Sequence, residues 1–359
     1  MALHDHRDAA SAADLGPTLP ARAALEGGCA TCRTAPCCWY VPVQHVRLKH
    51  FTDVDHLVYC AGFDRIEIGW HANGEVVVYY RAPCRYLGPQ GRGCSAYGSA
   101  LMPQICRSAS AHDCWFRANV PAATTDAFVR LDEPRMRAVA ELFRFDLARA
   151  IERQPTWTEV RAAVDAIDAA ERDGAQAPMP PSGDPPAEVT FPWEAPIDEA
   201  APPPVELGWE QAIASPCDGC RAACCTHLIF ETSRPRSFAA LDRLRFILQF
   251  PGTEIGVRDE ETWLVVIRTR CRHLTADARC GLFGSPRRPR GCTDYNAWSC
   301  TYVDRFERRA AGDTLRLRYE QLLEVASLYE FTPTGEAMND PPRVAEVIRL
   351  LAARGSEAS

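Results

Sequence analysis

The sequence predicts an α+β protein whose chain is written twice, and three observations predict it. Cysteine spacings repeat along the chain, flanking motifs repeat in the same register, and each copy pairs a helix-period segment with a hairpin pattern. Forty-five residues separate Cys38 from Cys84, and forty-five separate Cys225 from Cys271. Eleven lie between Cys94 and Cys106 and between Cys280 and Cys292; seven lie between Cys106 and Cys114 and between Cys292 and Cys300. Only the short gaps slip by one residue. In a register displaced by about 187, FTDVDHL (51–57) faces FAALDRL (238–244), and VAELFRF (139–145) faces VASLYEF (325–331). CSAYGSALMPQIC (94–106) likewise faces CGLFGSPRRPRGC (280–292). Internal similarity at a fixed displacement is the mark of a duplicated structural unit.

Each unit opens with a cysteine-rich, Gly- and Pro-flanked loop. A short helix follows, with Phe51, Val54 and Leu57, or Phe238, Leu241 and Leu244, on one face at helical spacing. Next comes a hairpin, RIEIGW–HANG–EVVVYYR, with Asn73-Gly74 as the turn signal, and TEIGVRDEETWLVVIRTR as its counterpart. The second cysteine group lies in loops again. Closing helices are expected over 133–153 and 158–172, and over 315–330 and 342–354. Residues 175–204 hold ten prolines and no periodicity, the composition of an extended spacer. The expected organisation is therefore an N-terminal segment 1–24, a first cysteine-cluster domain 25–174, a Pro-rich linker 175–208 and a second domain 209–359.

Composition narrows the function. A net charge of −7 over 359 residues gives no global field that would attract nucleic acid or an anionic membrane. The opening twenty residues carry charges and no apolar signal-peptide core, and no stretch has the length and apolarity of a membrane span. The expected location is the cytoplasm, where thiols stay reduced. Seventeen cysteines in that compartment point to metal or redox chemistry before disulfides, and their odd number also disfavours a complete disulfide framework.

Sixteen of the seventeen pair across the repeat. The first set is Cys29, Cys32, Cys37, Cys38, Cys84, Cys94, Cys106 and Cys114; the second is Cys217, Cys220, Cys224, Cys225, Cys271, Cys280, Cys292 and Cys300. The odd one, Cys60, aligns with Ile247 on an apolar helix face and is expected in the core. Four thiolates hold a tetrahedral zinc or a cubane iron–sulfur cluster, so eight per unit suit two sites or one multinuclear site. Adjacent cysteines in extended backbone point to opposite sides, so Cys37 and Cys38, or Cys224 and Cys225, are expected to serve different ions, or an ion and the core. A disulfide framework or a dithiol switch remains the alternative, although no thioredoxin-type βαβ pattern surrounds these cysteines.

These residues resemble a known family. Cys217-x-x-Cys220-x-x-x-Cys224-Cys225, then Cys271-Arg272-His273-Leu274, Cys280-Gly281-Leu282-Phe283 and Arg288-Pro289-Arg290-Gly291-Cys292, look like the YkgJ-type cysteine-cluster family of zinc- or iron-chelating domains. The first unit departs from that pattern: its opening gap is one residue longer, and Met102-Pro103 stands in place of Arg-Pro. The resemblance implies metal or cluster binding through the sixteen paired cysteines. A related cluster occurs in flagellin lysine-N-methylases, which makes an iron–sulfur enzyme of electron transfer or protein modification the alternative.

Seven arginines, Arg268, Arg270, Arg272, Arg279, Arg287, Arg288 and Arg290, surround the second unit's late cysteines. Cations and N–H donors are expected around anionic thiolate sites; the competing reading is a docking patch for an acidic protein or anion. His273, His227 and His112 have no histidine twin in the other unit and are not taken as ligands. No catalytic residue is legible. The expectation is a structural or interaction metalloprotein holding zinc or iron.

Overall fold

The computed structural model describes residues 35–88, 93–107, 124–125, 128–174, 223–258, 261–275, 279–294 and 315–357. The N-terminal segment and the Pro-rich linker lie outside them. After a 3-10 turn at Pro36–Cys38, the first half runs through β1 (Tyr40–Val46), α1 (Phe51–Ala61), β2 (Ile66–His71), β3 (Val76–Arg81) and α2 (Gln104–Arg107). It continues with β4 (Thr124–Thr125), β5 (Phe128–Leu131), α3 (Glu133–Ala140), β6 (Arg144–Phe145), β7 (Ile151–Arg153) and α4 (Trp157–Gly174). The second half has α5 (Ala223–Thr226), β8 (His227–Ser233), α6 (Phe238–Ile247), β9 (Thr253–Val257), β10 (Thr262–Arg268) and α7 (Arg290–Thr293). It closes with β11 (Leu315–Leu317), α8 (Tyr319–Ala326) and α9 (Val344–Glu357). The fold is α+β, with every described strand pairing antiparallel. Among the described residues no helix is long and apolar enough to cross a membrane.

The helix and hairpin expected in each half are present. Helix α1 starts where Asp53 Oδ2 accepts the backbone N–H groups of Lys49 and His50, each at 2.8 Å, and it buries Val54, Leu57, Val58 and Cys60. Helix α6 starts at Ser237, whose Oγ accepts the N–H of Ala240. The β2–β3 turn uses Gly74 at φ 83°, a left-handed conformation open to glycine, while Asn73 Oδ1 accepts the N–H of Glu75. Trp263 to Ile267 of β10 are all buried, as in a central strand covered on both faces.

The sheets run β1-β3-β2-β5-β4 and β11-β9-β10-β8, so four strands of each stand in the same order when matched by displacement. Strands β1 and β8 were not expected. Proline disfavours a strand interior, but Pro42 of β1 sits at a register shift between Pro42 and Gln44 on the edge of the sheet, where its missing N–H costs no ladder bond.

The closing helices also differ from expectation. Helix α3 ends at Ala140, and residues 144–153 form the small β6–β7 hairpin; residues 315–317 are strand before α8 begins. The chain leaves the helix because Phe143 and Phe145, two residues apart, stack with parallel rings, and Phe51 meets Phe145 edge-on. Tyr329 and Phe331 stack in the same way, with Phe238 edge-on to Phe331. Arg149 and Gly335, both at positive φ, hold the turns that return a carbonyl to the N–H of Phe51 and Phe238, at 2.8 Å each.

The halves share one apolar core that runs from Val41 and Phe63 through Leu228 and Phe250 to Val347. Hydrogen bonds cross between them in reciprocal pairs. Arg85 N–H donates to Gln249 O at 2.8 Å, and Arg272 N–H donates to Gly62 O at 2.9 Å. Asp242 on α6 accepts the N–H of Gln104 at the start of α2; Asp55 on α1 accepts those of Arg290 and Gly291 at the start of α7. Such reciprocity, i to j and j to i, is the pattern of an isologous two-fold interface. It does not extend to every contact. Asp64 N–H donates to Arg270 O, whereas the position that matches Asp64 is Pro251, which has no N–H; there Tyr80 Oη donates to Pro251 O instead.

Candidate functional site

Two cysteine loops meet in each half, and the same backbone bonds hold them. Cys84 N–H donates to Cys38 O and Cys271 N–H donates to Cys225 O, both at 2.7 Å. These bonds pin the loop after each hairpin to the end of the opening cysteine run. Beyond them a turn places the next cysteine: Leu87 bridges to Cys94 and Leu274 to Cys280. Tyr97 N–H then returns to Cys94 O and Phe283 N–H to Cys280 O, at 3.1 and 3.0 Å. Gly98 and Gly284, at φ 74° and 75°, supply the reversal that follows. Cys106 and Cys292 enter α2 and α7 with N–H groups bonded to Pro103 O and Pro289 O, each at 3.0 Å.

Of the sixteen paired cysteines, the described residues contain Cys37, Cys38, Cys84, Cys94, Cys106, Cys224, Cys225, Cys271, Cys280 and Cys292. Cys29, Cys32, Cys114, Cys217, Cys220 and Cys300 lie outside them. Among the described residues no disulfide joins any cysteine, and no three or more Cys, His, Asp or Glu side chains are grouped as they would be around a metal ion. Cys60 is fully buried, as its apolar register predicts, with His56 Nε2 3.5 Å from its sulfur.

The thiols nevertheless share a local field. Burial pushes Cys84 up to about 11; neighbouring Cys94 and Cys37 add to the rise, and the Tyr86 N–H opposes it. That N–H points at Cys84 Sγ from 3.5 Å. Burial likewise raises Cys271 against the His273 N–H, with Cys280, Glu133 and Cys224 contributing. Cys292 is pushed up to about 12 by burial, then by Cys224, Cys271 and Cys280, with Arg288 opposing. Cys224 is raised first by its hydrogen bond with Cys225 and then by burial. Buried thiols that repel one another's ionisation stay protonated until a cation compensates them, and a bound metal inverts that balance. The donor set is soft sulfur with N–H groups aimed at it, which suits zinc or iron.

Residues from the opposite half complete these surroundings. Glu133, 5% exposed at the start of α3, receives His273 Nε2 at 2.7 and 2.8 Å on its two oxygens and Arg137 at 2.7 Å. Burial alone would raise its carboxyl, but the bonds from His273 and Arg137 outweigh burial and hold it below its ordinary value. Tyr59 Oη of α1 donates to Cys224 O, and Gln249 Oε1 lies 3.7 Å from Cys84 Sγ. Sequence reasoning missed these partners. A signal existed for one pair: Asp55 and Asp242 hold the same place in FTDVDHL and FAALDRL.

The seven arginines divide, Arg279 donating its backbone N–H to Thr275 Oγ1 at 3.0 Å. Arg268 pairs with Glu254 at 3.7 Å, Arg270 donates to Leu274 O and Thr275 O, and Arg272 pairs with Asp64 at 3.4 Å. Arg288 lies over the Phe283 ring at 4.9 Å and its charge favours ionisation of Cys224 and Cys292. Arg287 and Arg290 are exposed, Arg290 pairing with Asp294 at 3.2 Å. His227 Nδ1 bonds Thr226 Oγ1 at 3.0 Å, and His112 lies outside the described residues. Comparison with protein-family models, curated proteins and solved structures gives no match.

Proposed function

We propose that the chain is a metal-binding protein, a tandem duplication of one cysteine-cluster unit whose thiolates hold zinc or iron, as single ions or as an iron–sulfur cluster. The observation that carries this reading is the matched bond from Cys84 to Cys38 and from Cys271 to Cys225. It joins two cysteine loops in each half through the backbone. The repeated strand order, the reciprocal bonds and the paired turns support duplication. Membership of the YkgJ-type family rests on the motif resemblance.

The ligands would be the sixteen paired cysteines, with Cys60 held apart in the core. A bound cation would supply the charge that lets the buried thiols ionise, and folding would couple to loading, because structural zinc contributes about 10–16 kcal/mol of apparent folding free energy. The Tyr86 and His273 N–H groups stabilise thiolates at Cys84 and Cys271, and Arg288 does the same near Cys224 and Cys292. A structural or interaction role follows, in the reducing cytoplasm where such thiols persist. Arg287 and Arg290, being exposed, are where an acidic partner would dock.

Hydrogen exchange before and after verified metal removal tests the reading. Chelation should expose the amides of 84–88, 93–98, 271–275 and 279–284 while β3 and β10 stay protected longer; unchanged protection in those loops sinks it.

A further inference from the structure

A sulfur-free pocket lies on the second half. Glu254 of β9, Arg268 of β10, Arg316 of β11, and Arg318, Glu320 and Gln321 at the start of α8 line a pocket of about 470 Å³. Glu254 is the buried member, with a side chain 7% exposed. Three guanidiniums converge on it: Arg316 at 3.2 Å, Arg268 at 3.7 Å and Arg318 at 3.9 Å. Only the Arg316 contact is a hydrogen bond. The Nε of Arg268 is buried and faces Glu254 Oε1 from 3.7 Å, beyond hydrogen-bond reach, with no hydrogen-bond partner among the described residues. Glu320 does not balance the group, because Arg85 from the other half holds it at 3.0 Å. One carboxylate therefore faces three guanidiniums, which leaves an excess of two positive charges and many unused N–H donors around an open volume.

We infer that this pocket binds a phosphate dianion, free or as a small monoester. Guanidinium forks match phosphate geometry, and a buried donor without a partner is satisfied when an oxyanion enters. A dianion also cancels the excess charge. Glu254 orients the guanidiniums and competes weakly with the ligand for them. None of the described cysteines lines the pocket, so this inference stands or falls apart from the metal reading.

The test is calorimetric titration of the full-length protein, with its metal content unaltered, by inorganic phosphate and by phenyl phosphate. Saturable binding is expected, and tighter binding of one probe assigns the free or the esterified source. Arg316→Ala with Arg318→Ala should weaken it about tenfold or more, since a lost charge-assisted bond is worth roughly that factor, while circular dichroism stays unchanged. Glu254→Gln, which removes the internal competitor, should tighten it. If the alanine pair unfolds, Arg316→Lys with Arg318→Lys keeps the charge and loses the forks, and weaker binding is again expected. Absence of saturable binding by either probe, or equal affinity in wild type and a folded double variant, overturns the proposal.

Discussion

The carbonyl of Gly62, just past the end of α1, accepts the backbone N–H of Arg272 from the opposite half at 2.9 Å. Its reciprocal partner runs from Arg85 to Gln249 at 2.8 Å. Each bond places the residue after a cysteine, Cys84 or Cys271, against the end of α6 or α1 in the other half. The environment of each cysteine loop is thus built by both halves.

That interlock predicts one cooperative unfolding transition for the described body. Asp242 is 4% exposed and is held by Arg245 and by the Gln104 N–H. Asp242→Ala should cost roughly 3 kcal/mol, the scale for breaking a buried charge pair. Amide exchange in β3 and in β10 should accelerate together in this variant. Acceleration confined to β10 would mean the halves are independent.

Gly69 of β2 is required by close approach. A Cβ there would lie 2.5 Å from Tyr79 Cε2 and 2.7 Å from Phe128 Cε2, both on fully or nearly fully buried rings. Gly69→Ala should destabilise by about 1–3 kcal/mol through overpacking, measured by denaturant unfolding with unchanged slope. A neutral result would show that the two rings can separate freely.

Alkaline pH should destabilise the protein through its buried acids. Burial raises the Cys60 thiol, and burial followed by Glu75 raises the Tyr79 phenol. Unfolding releases both to ordinary values, about 8.5 for a thiol and about 10 for a phenol. Their contribution is fully present below those values and is lost as pH rises through the raised folded ones, because the unfolded state then binds fewer protons. Cys60→Ala should flatten the first part of this loss, at about pH 9. An unaltered profile would remove Cys60 as its source.

Much of this was legible in the sequence, for physical reasons. Asn73-Gly74 announces its turn because few residues tolerate φ 83°, and Phe51, Val54 and Leu57 announce a helix because helical spacing aligns them on one face. Strand β1 was hidden by Pro42, which reads as a breaker unless its edge position is known. The end of α3 was hidden too, although Phe143 and Phe145 at a spacing of two carry a strand's signal inside a helix-forming run. The cross-half partners Glu133, Gln249 and Tyr59 were out of reach, because nothing local says which surfaces of two copies will meet. The Glu254 pocket was likewise illegible, since Arg268 and Arg316 come from strands far apart in the chain.

Metal content of anaerobically purified protein, measured by elemental analysis with the visible spectrum, tests the central claim most directly. The account predicts zinc or iron at one or more equivalents per half, lowered by Cys271→Ser and by Cys84→Ser and untouched by Cys60→Ala. Protein that folds with no bound metal, its sixteen paired thiols all titrating freely or joined as disulfides, would contradict it.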